Sequence, residues 1–317
     1  MIADTIITSY ENNLEKLSPR RRLHFLLRCY RITGDKKYIP QIRESVNELL
    51  PRFKSVLQVF SNEGGVIDMG KNKVLNYVPV NPRKLRRLAY YQKNPEVLVY
   101  MEAVLYMFLI KSLGLEGSSE ISGEFRMAES YMKRAGVDNI FLDKNFITVN
   151  PSESANIINF LAFLEISDKR QELVKLFREY WLNVEPKDPS IWLDKIYALV
   201  HLVIGASNYY QNFIDDSQFD WIFKYFDSNL DSILLKANLD SVAEIGICYK
   251  LAGRGKSRIV KQIQDFLVGN FDKKAGYILG ISDPTISGSE HKNIVAVIAL
   301  RDFDVLYKGP NIGSFSS

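Results

Sequence analysis

Apolar residues recur at helical spacing along most of this chain. The pattern predicts twelve helices, near residues 4–17, 20–33, 36–60, 95–113, 121–136, 151–166, 168–182, 190–212, 217–234, 238–252, 256–270 and 286–304. Ser18-Pro19, Asn150-Pro151 and Asp188-Pro189-Ser190 act as start signals, because proline suits the first turn and cannot extend the helix before it. The links that leave even-numbered helices are short. Three links that enter them are long: 61–94, 137–150 and 271–285. Val66 to Met69 and Leu75 to Val78 flank Gly70-Lys71-Asn72-Lys73, which reads as a β-hairpin; Phe141 to Val149 and Tyr277 to Ile281 look like shorter versions. An up-down ring of hairpins would gather links of one parity on one rim.

An internal repeat supports the pairing of helices. Cys29-Tyr30-Arg31-Ile32-Thr33-Gly34 matches Cys248-Tyr249-Lys250-Leu251-Ala252-Gly253, and Lys111-Ser112-Leu113-Gly114 echoes its end. Each reads as a helix C-terminus, with glycine in the left-handed closing position and a cation near the exposed carbonyls. The cysteines share one repeat position and read as small buried hydrophobes.

Five stretches carry two resemblances. His24-Phe25-Leu26-Leu27-Arg28-Cys29-Tyr30-Arg31-Ile32-Thr33-Gly34-Asp35-Lys36-Lys37-Tyr38 resembles the inner-to-outer helix turn of (α/α)6 toroids, shared by six-hairpin glycosidases, sugar epimerases and lanthionine-cyclase-like proteins. Tyr197-Ala198-Leu199-Val200-His201, Ser207-Asn208-Tyr209-Tyr210-Gln211, Asp240 to Cys248 and Glu290-His291-Lys292-Asn293 resemble an uncharacterised bacterial family of unknown function. The resemblance implies an all-α fold, a single (α/α)6 toroid domain over residues 1–317 with short β-hairpin insertions on one rim. It brings no activity.

Composition narrows the classes. Hydrophobic residues are 46% and charged residues 25%, values of an ordinary globular chain; aromatics reach 12%. A net charge of +4 without a basic stripe argues against nucleic acid. Arg20-Arg21-Arg22 and Arg83, Lys84, Arg86, Arg87 read first as solvated helix starts, and second as attraction for an acidic ligand. With only Cys29 and Cys248 there is no disulfide framework and no CxxC spacing. No signal peptide and no apolar stretch of membrane-spanning length is visible, so the expected location is cytoplasmic, with secretion by a signal-independent route left open.

Candidate chemistry sits on even-numbered predicted helices. Glu244 lies in the apolar run Val242-Ala243-Glu244-Ile245-Gly246-Ile247, where a carboxylate must be paired, hydrogen-bonded or functional. Glu102 has the same character. Asp240 and Glu244 share a face at i, i+4; the simpler reading of Asp240 is an N-terminal cap. Glu290 shares a face with Asn293, with His291 turned by about 100°. His24, His201 and His291 each fit a structural role alone, and a shared site together. The expected catalytic groups are Glu244, Glu290, His291 and His201. The expected ligand-binding groups are His24, Arg28, Asp240, Asn208, Tyr210 and Asn293. No HExxH, Walker loop or GxGxxG occurs, so no metal or cofactor is expected; Gly253-Arg254-Gly255-Lys256 lacks P-loop length. The leading reading is an enzyme acting on a carbohydrate or other polar ligand in a central cavity. The alternative is a non-catalytic peptide- or protein-binding scaffold, host-directed in one version, with Gly309 to Ser317 as a flexible tail.

Overall fold

The computed structural model describes residues 1–182 and 184–313. Among them the chain is helical throughout, with no sheet. Among the described residues the only strand-like pairing is an isolated bridge between Asp272 and Tyr277. The chain divides into two compact units, each described by itself.

Unit 1 comprises Met1–Leu49 and Tyr209–Pro310. It holds α1 (Ile2–Glu11), α2 (Pro19–Thr33), the first half of α3 (Ile39–Gln58), α13 (Asp220–Lys236), α14 (Leu239–Leu251), α15 (Arg258–Gly269) and α16 (Glu290–Leu300). Helix α16 packs on α1, α2, α14 and α15. Helix α14 is buried from Ser241 to Leu251, and α16 from Asn293 to Ala299. Helices apolar on every side belong to an interior. Helix α15 instead buries one stripe, Val260, Ile263 and Leu267, as an outer helix does. The repeat noted in the sequence is realised: α2 closes on Gly34 at φ 67°, whose N–H donates to the Tyr30 carbonyl at 2.7 Å, and Gly253 adopts φ 71° after α14.

Unit 2 comprises Leu50–Asn208 and the residues from Asn311 on. It holds the second half of α3, then α4 (Glu63–Leu75), α5 (Pro82–Tyr91), α6 (Val97–Ser112), α7 (Ser122–Ala135), α8 (Asp138–Leu142), α9 (Lys144–Val149), α10 (Pro151–Phe163), α11 (Arg170–Trp181) and α12 (Pro189–Ala206). Helices α10 and α12 lie so close that a Cβ on Gly205 would come within 2.5 Å of Asn159 Nδ2.

Four sequence expectations are corrected. The hairpin expected over 66–78 is helix α4: Asn62 caps it by accepting from the Gly64 N–H at 2.9 Å. Gly70 serves close packing instead of a turn, since a Cβ there would meet the Pro95 carbonyl at 2.4 Å. Phe141 to Val149 likewise lies in α8 and α9, capped by Asp143, and Tyr277 to Ile281 contributes only the bridge. The long links 61–94 and 137–150 therefore carry helices. Of the expected C-terminal tail, the Gly309 N–H donates to Gln211 Oε1 at 3.1 Å, and the Ile312 N–H to the Leu113 carbonyl at 2.9 Å, so this stretch is pinned. Ser314 to Ser317 lie outside the described residues.

Candidate functional site

Half-buried positions on otherwise buried helices reveal where unit 1 opens to solvent. On α2 between Leu23 and Cys29 they are His24 and Arg28, one turn apart. At the start of α14 Leu239 and Asp240 are half-buried, and at the start of α16 His291 is exposed and Lys292 half-buried. His24, Arg28, Asp240 and His291 gather in one partly open cluster, with the buried Glu244 and Glu290 beside them.

Local structure explains the placement. Asn238, not Asp240, caps α14, accepting from the Ser241 N–H at 2.9 Å, which leaves Asp240 free to face α16. The first turn of α16 is fixed by its preceding loop. Asn293 accepts from the Ile278 N–H and donates to the Ile278 carbonyl, both at 2.8 Å, and Ser289 Oγ accepts from the Gly280 N–H at 2.8 Å. Asn293 therefore positions Glu290 and His291, and its hydrogen-bonding groups are used inside the protein.

The groups join in a chain. His24 Nδ1 lies 2.7 Å from Glu290 Oε1, across α2 and α16. The His24 and His291 rings stack at 5.4 Å between centroids. His291 Nδ1 is 3.4 Å from Asp240 Oδ2, and its Nε2 is 3.9 Å from Glu244 Oε1. The imidazoles form the accessible layer, with side-chain exposures of 26% for His24 and 45% for His291; the floor is Glu244 at 3% and Glu290 at 4%. Glu244 Oε2 and Arg28 Nε are buried without a hydrogen-bond partner.

The surroundings drive the two floor carboxyls in opposite directions. Burial pushes Glu244 up to about 7; Asp240 adds to this, while His291 and Arg28 oppose it. Burial works on Glu290 in the same direction, but His24, Arg28 and His291 outweigh it and hold this carboxyl below its ordinary value. Burial and the neighbouring Arg28 bring His24 down to about 4, against the pull of Glu290. The His24–Glu290 contact is thus a neutral imidazole donating Nδ1–H to a carboxylate, which leaves Nε2 as a base. His291 is raised: burial opposes its charge, and Asp240 and Glu244 overcome it. Two carboxyls driven apart by environment are the arrangement that acid/base catalysis requires.

Tyr210 lies under Arg28, whose guanidinium carbon is 5.3 Å from its ring centroid. The tyrosine is buried, so it supports Arg28. It ends a run of left-handed residues, Asn208, Tyr209 and Tyr210, with φ of 51°, 57° and 69°. Such residues cost roughly 1–2 kcal/mol each. The Arg31 guanidinium, donating to the Tyr209 carbonyl at 2.9 Å, helps hold the run.

The structure gathers His24, Arg28, Asp240, Tyr210, Glu244, Glu290 and His291 in unit 1. It places His201 and Asn208 in unit 2, where His201 Nδ1 lies 2.8 Å from Asn156 Oδ1. Ser207 Oγ donates to the Ile204 carbonyl at 2.6 Å. Glu102 is an ion-paired group: Arg52, Lys73 and the Tyr106 hydroxyl surround it, and despite burial they hold its carboxyl down at about 2. Sequence reasoning missed Tyr10, which packs against Phe25 at 4.9 Å and lies within electrostatic reach of Glu290. Among the described residues, no group of three or more His, Cys, Asp or Glu side chains is arranged to hold a metal ion, and no helix is long and apolar enough to cross a membrane. A groove of about 420 Å³ lined by Asp227, Asp231, Arg258 and Gln262 shares no residue with the cluster.

The family model described as Domain of unknown function (DUF3541) matches residues 1–317. The chain belongs to this family. No curated protein and no solved structure matches it. The DUF3541 description assigns no chemistry, so the cluster geometry carries the functional argument.

Proposed function

We propose that unit 1 carries an acid/base centre acting on a hydroxyl-rich ligand, a carbohydrate foremost. One observation carries this reading: Glu244 is a buried carboxyl near pKa 7, with an unpartnered oxygen beside accessible imidazoles. In this reading protonated Glu244 gives its proton to the leaving oxygen as the bond breaks. The attacking water gives its proton to His24 Nε2 or Glu290, and His291 orients Glu244. General acid and base groups each contribute roughly 10²–10⁴-fold. Support for carbohydrate comes from the turn resemblance to six-hairpin glycosidases, a likeness of architecture. The (α/α)6 toroid, the single domain over 1–317, the bacterial origin and the cytoplasmic location belong to the same proposal. The alternation of fully buried and one-sided helices within each unit supports the first of these.

A peptide- or protein-binding scaffold without turnover is the second reading. The His24–Glu290 bond favours it, because that bond ties α2 to α16 as a structural pair would.

Glu244→Gln separates the two. Turnover of a panel of chromogenic glycosides, binding of oligosaccharides and a thermal melt are measured on both forms. The acid/base reading expects a folded protein with turnover reduced by about 10²-fold or more. An unstable variant that retains full binding and turnover contradicts it.

A further inference from the structure

Unit 2 has a polar cluster of its own, built from the basic residues that the sequence presented as a solvated helix start. Arg83, Arg86 and Arg87 on α5 converge on Asp194 of α12, which is 1% exposed. Arg83 pairs with it through Nε, Arg86 Nη2 at 2.8 Å, and Arg87 Nη2 stands off at 4.0 Å. One carboxylate faces three guanidiniums. Arg86 is committed to structure, since its Nη1 also donates to Ser190 Oγ at 2.8 Å. Arg83 and Arg87 keep donors to spare and are 20% and 15% exposed. Arg83 also lies over the Tyr197 ring at 4.5 Å, which fixes the plane of its guanidinium.

A second, independent observation lies beside them. Asn150 immediately precedes α10, is fully buried, and its Nδ2 has no hydrogen-bond partner. Its Oδ1 accepts from the Tyr91 hydroxyl at 2.9 Å, so the amide nitrogen turns the other way. Arg87 Nε donates to the neighbouring Val149 carbonyl at 3.4 Å, while Arg87 Nη2 also lacks a hydrogen-bond partner. Unmatched donors therefore collect at the N-terminus of a long helix, whose own N–H groups favour an anion. Tyr77 lies within electrostatic reach of Arg83, Arg87 and Glu153. Glu153, half-buried on the first turn of α10, is a second acid near this cluster, besides Asp194, and can accept from a hydroxyl.

We propose that this cluster binds the anionic group, a carboxylate or a phosphate, of a small hydroxylated ligand, with Arg83 and Arg87 as the anion grip. Arginine suits the task because its planar fork meets such groups through two bonds.

The test follows the arginine Nε–Hε resonances of the full chain during titration with inorganic phosphate, with glucuronate and with glucose. Saturable shifts at Arg83 and Arg87 with phosphate or glucuronate, and none with glucose, are expected. Saturation by phosphate alone names a phosphate ligand, and by glucuronate alone a carboxylate. Arg87→Gln should weaken binding tenfold or more and leave the melt unchanged, because Arg87 stands off from Asp194. Arg83→Gln should also weaken it, and its melt reports any loss of the Asp194 pair. No saturable shift, a shift shared by all arginines and removed by salt, or full binding by Arg87→Gln overturns the proposal.

Discussion

His24 Nδ1 and Glu290 Oε1 lie 2.7 Å apart, and both groups titrate below their ordinary values. A charged pair would raise the histidine. Here burial and Arg28 keep the imidazole neutral, so a neutral donor is bonded to an anion in a setting that Arg28 and His291 make favourable to negative charge. The arrangement has consequences for stability and for chemistry.

His24 should make the protein acid-sensitive. Its ordinary value is 6.5 and its folded value about 4. Between these the unfolded chain binds more protons than the folded one, so stability falls as pH drops from about 6.5 towards 4. Thermal melts across that range on the wild type and on His24→Gln check this. The variant should show a visibly flatter slope; an unchanged slope would place His24 outside the linkage.

Asp194 should be a keystone of unit 2. Its removal leaves three guanidiniums facing one another without a counter-charge. Asp194→Asn is expected to cost about 3–5 kcal/mol, the scale of a broken buried pair. Urea denaturation checks it, and a loss under about 1 kcal/mol, typical of surface pairs, would contradict the description of the cluster.

Cys29 and Cys248 should label slowly in the native protein. Both are buried, and burial pushes both thiols up, away from the reactive thiolate. Timed reaction with a thiol reagent should show both cysteines modified only as the chain unfolds. Rapid native labelling of either would contradict their burial.

Much of this was legible in the sequence, and the reasons differ by residue. The repeat ending in Gly34 and Gly253 was readable because a left-handed cap demands glycine and a local apolar pattern. Glu244 was readable because one carboxylate in an apolar run has few fates. Asp194, in Ile191-Trp192-Leu193-Asp194-Lys195-Ile196, sends the same signal, and its arginine partners were in view as a cluster; their meeting depends on how α5 lies against α12. The 66–78 stretch misled because Gly70 reads as a turn, whereas its use is a close approach to Pro95 from a distant part of the chain. His201 shares chain position with the other histidines but belongs to unit 2, a matter of long-range packing that no local pattern encodes.

The central claim is that two neighbouring buried carboxyls are driven in opposite directions, so that Glu244 still exchanges its proton near neutral pH while Glu290 is ionised there. Carbon-13 NMR of the glutamate side-chain carboxyls across a pH series measures this directly, with Glu244→Gln and Glu290→Gln assigning the signals. The account predicts that Glu244 titrates near 7 and that Glu290 stays ionised down to below 4.5. If both carboxyls titrate together near 4.5, the cluster has no acid poised for neutral pH, and the acid/base centre is contradicted.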